Sequence, residues 1–410
     1  MNKEEGKCKM KYGVGIDISK GKSTVSIISQ AGEVMELPFE INHDSNGLKI
    51  LKDTIDKYPK EDIKIVMEET GTYHLPVLNF LLDEGYFVCA DNAFKIKKYL
   101  DRDLRKVKND NKDSLKIAEY CCDNWYRIKK YENSSQTYKD LKFLSRQYTA
   151  QMSVQTKEKV QLSNLCDLLF PGYYSLLNEN NFILGITVFK KYYHPTLVIK
   201  KNKESFIKDV DKIAKKLGHR SAGITIANKI YELAKNTVSP HPSNEYSQLS
   251  VDCCVDLLIL TINTTNKIIS KMDELASTLP EYDTVKSMEG CGNKLTSRII
   301  AEIGDIRRFK NAGSIIAYGG LDAPPYQLGQ FEATIRHISK RGNKYLRKTG
   351  YEIVKCIKSN KKTGEEIYEY IIQKEVEGKV KKVAKIAGLN KFLRIYYGLV
   401  KKKYKELQIW

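Results

Sequence analysis

The feature that most constrains the fold is a change of hydrophobic pattern between the first 125 residues and the rest of the chain. Short β-rich runs at residues 11–18, 22–29 and 33–40 come first. Helical and β-rich runs then alternate as far as residue 89. Three opening strands followed by such alternation predict a mixed sheet covered by helices. We therefore predict an α/β domain over residues 1–130.

After residue 130 the pattern becomes helical. Apolar residues recur at three- and four-residue spacing over residues 138–169, and Pro171 and Gly172 then break this pattern. A second helical block runs over about 249–279. Helices of this length usually form a bundle or coiled coil, and often an oligomer interface. We predict a long helical, coiled-coil connector over residues 131–285 and a small all-α domain over residues 286–410.

The charge of the chain indicates a polyanionic partner. The 410 residues include 69 Lys and Arg against 50 Asp and Glu, a net charge of +19. Residues 331–410 alone carry 21 basic and 8 acidic residues, or +13. A surplus concentrated in the last fifth of the chain favours nucleic acid as the partner. No run approaches the roughly 20 apolar residues that span a bilayer. We expect a soluble, cytoplasmic protein that does not bind a membrane.

Four carboxylates stand at the ends of predicted elements in the N-terminal domain. Asp17 ends the first strand, Glu68 ends a later strand, and Asp110 and Asp113 begin a helix with the spacing that places both on one face. Strand ends on one side of a sheet meet at one edge, and a group of carboxylates there needs counter-cations. Mg²⁺ or Mn²⁺ is the natural occupant, because these ions prefer oxygen ligands. A pair of such ions supports phosphodiester chemistry.

Three of these acids also have a simpler interpretation. Asp17 could only start a turn, and Glu68 could be a solvated strand end with Glu69 as the inward residue. Asp110 could be an ordinary N-terminal residue of a helix, where negative charge is favourable. The order and context of the four residues together favour the metal site.

The C-terminal domain carries a glycine turn and a dense basic segment. Residues 289–304 read Gly-x-Gly before an apolar-periodic helix, as in helix–hairpin–helix motifs that offer backbone N–H groups to phosphate, although a tight turn before any helix looks the same. Basic side chains follow over residues 336–348 and suit phosphate contacts as well as a solvated basic helix. The candidate nucleic-acid-binding residues are Arg336, Lys340, Arg341, Lys344, Arg347 and Lys348.

These two motif sets resemble those of DEDD-type transposases of the insertion-sequence-110 family, which includes the Piv-type DNA invertases. VGIDISK, EETGTY and KNDNKDS occur in the family's order, and the family's four catalytic acids correspond to Asp17, Glu68, Asp110 and Asp113. GCGNKLTSRIIAEIG and HISKRGNKYLRK resemble the family's C-terminal transposase domain. The resemblance implies a ribonuclease H-like catalytic domain, a coiled-coil connector and a helical C-terminal domain.

The resemblance also implies a mechanism. In the family the acids bind divalent metal, a serine of the C-terminal domain attacks DNA, and the site forms between subunits of a tetramer. A structured bridge RNA pairs with donor and target DNA. The implied partners are therefore double-stranded DNA, a bridge RNA and further copies of the chain, from dimer to tetramer.

One departure from the family pattern concerns the nucleophile. Similar members carry Ser-Gly where this chain reads Leu328-Gly329. A leucine side chain has no oxygen to attack phosphorus, so covalent catalysis is expected to fail at this position. Ser339 and Thr334 lie nearby in sequence, but neither occupies the motif position.

Three functions compete on this sequence. The first is a metal-dependent, RNA-guided transposase or site-specific recombinase, defective in cleavage because of Leu328. The second is a metal-dependent nuclease similar to a Holliday-junction resolvase, which needs no serine. The third is a domesticated DNA- and RNA-binding protein that retains the fold without the chemistry.

Overall fold

The computed structural model describes residues 10–69, 71–100, 109–131, 135–219, 222–324, 327–328, 331–332 and 337–410. The chain divides into two compact units, Met1–Asn133 and Ser134–Trp410. None of the helices within the described ranges is long and apolar enough to cross a membrane.

The first unit is built on a mixed sheet. In chain order its elements are β1 (Tyr12–Ser19), β2 (Lys22–Ser29), β3 (Val34–Asn42), α1 (Ser45–Ile55), β4 (Ile63–Glu69), α2 (Leu75–Asp83), β5 (Val88–Asn92), α3 (Ala93–Leu100) and α4 (Asp110–Asp123). The strands are ordered β3-β2-β1-β4-β5 in space. The β2 strand is antiparallel to both β1 and β3, whereas β1, β4 and β5 run parallel. The prediction of a mixed sheet covered by helices is confirmed.

Helices cover both faces of this sheet. Alternate residues of β1, including Val14 and Ile16, join side chains of α1 and α2 in one core. The opposite face holds a second core, in which Val66 of β4 packs with Ile117 and Cys121 of α4. The two-residue period of a strand therefore assigns each residue of β1 and β4 to one of two faces.

The second unit is mostly helical. Its elements are α5 (Gln136–Leu169), α6 (Phe182–Lys191), α7 (Pro195–Ile199), α8 (Lys203–Lys216), α9 (Ala222–Asn236), α10 (Glu245–Ala276), α11 (Tyr282–Lys286), α12 (Asn293–Ile303), α13 (Ala312–Tyr318), β6 (Gln327–Leu328), β7 (Phe331–Glu332), α14 (Lys344–Asn360), α15 (Glu366–Val376) and α16 (Lys381–Glu406). The prediction of an all-α C-terminal domain needs one correction, because β6 and β7 form a short antiparallel ladder.

The long helices α5 and α10 organise two cores in this unit. They lie antiparallel, since Leu141 near the start of α5 shares a core with Met272 near the end of α10. At the other end Leu165 packs with Val255, together with side chains of α6 to α9. The first of these cores also contains residues of α11 to α16. It therefore joins segments on both sides of residue 285.

Candidate active site and nucleic-acid interface

The acidic edge of the first unit depends on a close contact between β1 and α4. A Cβ atom placed on Gly15 would lie 2.2 Å from the Ser114 carbonyl oxygen and 2.3 Å from the Ala118 nitrogen. A Cβ on Gly13 would lie 2.8 Å from the Ala118 carbonyl oxygen and 2.6 Å from the Cys122 sulfur. Only glycine allows the helix backbone to approach the strand this closely. The face of β1 that carries both glycines is therefore the face that α4 covers.

The same contact directs the start of α4 towards Asp17. Gly13 lies against Ala118 and Cys122 of α4. Gly15, two residues further along β1, lies against Ser114 and Ala118, which are one turn closer to the start of the helix. Asp17 is the next residue on this face of the strand. One further step back along the helix, by the same spacing, reaches Asp110 and its neighbours at the first turn.

Local signals fix where α4 begins. Asn109 has an extended backbone and its side chain accepts a hydrogen bond from the Asn111 N–H at 3.1 Å, so it caps the helix. Asp110 and Asp113 both lie in the first turn, where negative charge interacts favourably with the helix dipole. Asp110 is exposed and Asp113 half-buried. The predicted helix start and the predicted i, i+3 relation of these acids are confirmed.

Glu68 lies on the same face, at the end of the neighbouring strand. The β1 and β4 strands pair in parallel up to Ile16 and Met67, so Asp17 and Glu68 follow at adjacent positions. Val66, two residues before Glu68, packs in the core beneath α4. Strand alternation therefore directs Glu68 to that face, whereas Glu69 points to the opposite one.

A fifth carboxylate, Asp91, belongs to this edge and was missed from the sequence. It pairs with Glu68 in the β4–β5 register. The Tyr120 hydroxyl donates to its Oδ2 at 2.8 Å, and the Lys95 ammonium lies 2.5 Å from the same oxygen. Asp91 follows Val88 and Cys89 at the end of a β-rich run, so the argument that selected Asp17 and Glu68 could have found it.

The electrostatics place Asp110 near the β1–β2 turn. Lys22 begins β2 directly after that turn, and its pKa is raised, chiefly by its hydrogen bond with Glu40 and by the charge of Glu40. The charge of Asp110 adds to this effect. Asp110 therefore lies at the end of the sheet where Asp17 stands.

The donor set has the chemistry of a divalent-cation site. All four predicted residues offer carboxylate oxygens, the ligands preferred by Mg²⁺ and Mn²⁺. Asp17, Glu68 and Asp113 each have an interaction partner in this conformation. Among the residues that the structure describes, no three His, Cys, Asp or Glu side chains form a group that could hold a metal ion. The backbone thus places the acids at one edge, and their side chains are not gathered around a common point.

In the second unit the glycine turn precedes α12 as predicted. Gly290 has a φ of +74°, and Gly292 is the residue before the helix. A cavity of about 890 Å³ lies beside this turn and is lined by residues 287–295 and by Arg298, Glu352 and Lys355. Arg298 is buried, and its guanidinium binds the Glu352 carboxylate and the Thr349 hydroxyl. This cavity wall carries both positive and negative charge.

Residues 337–343 of the basic segment form a loop that is anchored to the loop after α13. The Ser339 hydroxyl donates to the Asp322 carboxylate at 2.7 Å, and the Lys340 N–H donates to the Gly320 carbonyl at 3.0 Å. Lys340 has a φ of +53°, which is unusual for a residue with a side chain. A Cβ on Gly342 would lie 2.4 Å from the Tyr318 carbonyl oxygen. The close packing of these two loops fixes the start of α14.

A buried carboxylate, Glu302, connects α14 to α5 and α12. It accepts hydrogen bonds from the Ser145 hydroxyl at 2.6 Å and from Asn343 Nδ2 at 2.9 Å, and Arg146 Nη2 lies 3.2 Å away. Its side chain is fully buried. Asn343 in turn caps α14, because its Oδ1 accepts from the N–H groups of Tyr345 and Leu346. Nothing in the sequence pattern indicated this connection.

The predicted nucleic-acid-binding residues have different surroundings. Lys340, Arg341, Lys344 and Lys348 are exposed. Arg347 is half-buried, and its Nη1 donates to the Gly319 carbonyl at 2.8 Å, so it also holds the two loops together. Arg336 lies outside the described residues. For Leu328, the structure describes only that it belongs to β6 and pairs with Phe331 of β7.

Comparison with known families gives two matches. Residues 14–171 match a transposase family model for the DEDD transposases of IS110, and residues 282–369 match the model of the IS116/IS110/IS902 transposase family. A comparison with curated proteins finds none that matches the chain. The two matched regions carry the acidic edge and the glycine turn with the basic segment, and together they define a transposase. The chain belongs to the IS110 family of transposases.

Proposed function

We propose that the protein is a metal-dependent DNA transposase or site-specific recombinase of an insertion sequence. One observation carries the proposal: in a chain with both IS110 transposase domains, acids from two parallel strands and one helix start stand at the same edge of a sheet. The first unit then acts as a ribonuclease H-like catalytic domain, and its five-stranded mixed sheet supports that interpretation. The α5–α10 pair acts as the helical connector, and residues 286–410 act as the transposase domain that binds nucleic acid.

The catalytic residues of this proposal are Asp17, Glu68, Asp110 and Asp113, which would hold Mg²⁺ or Mn²⁺. Bound there, a divalent ion supplies positive charge for an attacking and a leaving phosphodiester oxygen. The role of the protein is to bring carboxylates from β1, β4 and α4 to one edge. The side chains need to reorient to bind the ion, because no three His, Cys, Asp or Glu side chains of the described residues are grouped closely enough to hold a metal ion.

The partners of the proposal are double-stranded DNA, a structured bridge RNA and other copies of the chain. The charge of +13 over residues 331–410 supports a long contact with nucleic acid backbones. Base pairing by the RNA would then select the DNA sequence, while basic side chains contact phosphates. Exposed apolar residues on α5 and α10, such as Phe143 and Leu260, support further association through these helices.

Position 328 decides whether this copy cleaves DNA through a covalent link. With leucine there, the motif position offers no hydroxyl to attack phosphorus. We therefore propose that the protein as it stands binds its nucleic acids without recombining them. Leu328 equally favours the third function named above, a domesticated DNA- and RNA-binding protein. The rescue of recombination by a serine at position 328 distinguishes the two.

The test restores the hydroxyl. RNA that co-purifies with the protein is sequenced and used with matching donor and target DNA, and junction formation is measured for wild type, Leu328→Ser and the control Leu328→Ala. Junctions are expected with Leu328→Ser alone, and adding Asp17→Asn should abolish them. Efficient recombination by wild type would refute the nucleophile position, and junctions from Leu328→Ser/Asp17→Asn would refute the acidic site. No junctions from any variant favour the binding protein.

A further inference from the structure

A second cavity in the helical unit lies between α5 and the first turns of α14. Its volume is about 360 Å³. Arg146, Thr149 and Ser153 line it from α5, at the three- and four-residue spacing of one helix face. Lys344 and Lys348, one turn apart, line it from α14 with Tyr345 between them in sequence. The cleft is many times larger than the volume of about 30 Å³ that one water molecule occupies in the liquid. A phosphate group therefore fits in it.

The lining of this cleft is cationic. It includes Arg146, Lys344 and Lys348, and no lining residue is acidic. Neither lysine forms an ion pair within the part of the chain that the structure describes. Among the described residues, the only carboxylate that forms an ion pair with Arg146 is that of Glu302, 3.2 Å from Nη2. The cleft therefore carries uncompensated positive charge.

The Arg146 guanidinium is held in place but not fully satisfied. Its central carbon lies 3.4 Å from the centroid of the Tyr345 ring, and Nη2 pairs with Glu302. Nη1 is buried and has no hydrogen-bond partner among the described residues. A buried donor without a partner is rare in proteins, and such a group is commonly satisfied by a bound water or an ion. The Ser153 hydroxyl, exposed at the other end of the α5 face, adds a donor.

We propose that this cleft binds a backbone phosphate of the nucleic acid, held by Arg146, Ser153, Lys344 and Lys348. The inference rests on the proposed function for the identity of the ligand. It adds α5, which belongs to the predicted connector, to the nucleic-acid-binding surface. A long helix that contacts the backbone beside the basic segment would fix the register of the nucleic acid against the C-terminal domain.

The test is the salt dependence of binding, measured with duplex DNA and with single-stranded RNA as separate arms. Ser153→Glu places a carboxylate in the cleft, and Gln147→Glu is its control, because Gln147 is exposed on α5 and does not line the cleft. Lys344→Gln/Lys348→Gln removes two charges, and Lys212→Gln/Lys216→Gln removes two exposed charges at the same spacing on α8, outside residues 331–410 and outside the cleft. Thermal unfolding of each variant establishes that it folds.

We expect the cleft variants to bind more weakly and to lower the slope of log K against log salt by roughly 1–2, in line with one or two lost phosphate contacts. The controls should leave the slope unchanged. Equal losses in cleft and control variants would overturn the cleft while leaving nucleic-acid binding, and so the proposed function, intact. A third arm uses inorganic phosphate: if it stabilises wild type but not Ser153→Glu while neither nucleic acid binds, the cleft takes free phosphate and the nucleic-acid proposal is wrong.

Discussion

Replacing Gly15 by alanine tests how the acidic edge is built. The added methyl group would lie 2.2 Å from the Ser114 carbonyl oxygen and 2.3 Å from the Ala118 nitrogen. Side chains cannot relieve this clash, because both atoms belong to the backbone of α4. Real contacts of a Cβ atom essentially never fall under 3.0 Å, so the separation from the oxygen must open by at least the difference between 3.0 and 2.2 Å, which is 0.8 Å.

The cost of that displacement is estimated from overpacked cores. Such substitutions typically destabilise by 1–3 kcal/mol, and a backbone clash belongs at the upper end, about 3 kcal/mol. For a unit of this size that corresponds to a fall in Tm of about 10 °C. Because α4 carries Asp110 and Asp113, moving it away from β1 also separates these acids from Asp17.

Two measurements check this reasoning. Differential scanning calorimetry gives the Tm, and titration with Mn²⁺ gives the affinity of the acidic edge. Gly398→Ala is the control, since Gly398 lies in α16 and an added methyl group there would enter open space next to its own helix. A Gly→Ala change inside a helix is expected to stabilise by up to about 1 kcal/mol. An unchanged Tm for Gly15→Ala would show that α4 does not press on β1 and would refute the construction of the site.

Two further predictions concern buried carboxylates of the helical unit. Glu302→Ala should lower the free energy of unfolding by about 3 kcal/mol in urea titrations, because the partly buried Arg146 guanidinium loses its partner; a loss below about 1 kcal/mol would contradict that role. Burial raises the pKa of Glu281, although hydrogen bonds from Tyr138 and Tyr404 oppose the shift. The folded state then binds the proton more tightly than the unfolded state, so wild type should lose stability as pH rises from about 4.5 through the raised pKa. Glu281→Gln has no carboxyl group to titrate at this position, so its free energy of unfolding relative to that of wild type should increase over that pH range. A difference in free energy of unfolding that stays constant with pH would contradict the raised pKa.

Several elements of the fold were predictable because each has a local signal. The β-rich run at residues 11–18 corresponds to β1, and the helical period at 138–169 corresponds to α5, which ends just before Pro171. Asn109 marks the start of α4 through its capping side chain. In each case the two- or 3.6-residue period, or a turn residue, lies within the segment itself.

Contacts between distant segments were not predictable in the same way. Gly13 and Gly15 are visible as two glycines in a strand, but the sequence does not say that α4, a hundred residues later, lies against them. The bonds of Glu302 with Ser145 and Asn343 join three helices and leave no periodic trace. Long-range packing of this kind is set by the assembled unit and not by any one segment.

The acidic edge was predictable in part. Strand-end and helix-start positions sufficed to select Asp17, Glu68, Asp110 and Asp113, and the structure adds that α4 covers the face of β1 on which Asp17 stands. Their assignment as metal ligands stays a prediction, as do the division at residues 130 and 285 and the role of Leu328.

Mn²⁺ binding to the purified protein tests the central claim most directly. Electron paramagnetic resonance counts the bound ions in wild type, in Asp17→Asn and in Asp113→Asn, with Asp283→Asn, a change in α11 outside the first unit, as the control. The account predicts saturable Mn²⁺ binding by wild type and the control, and its loss in both acidic-edge variants. Equal binding by all four proteins, or none by wild type, would contradict it.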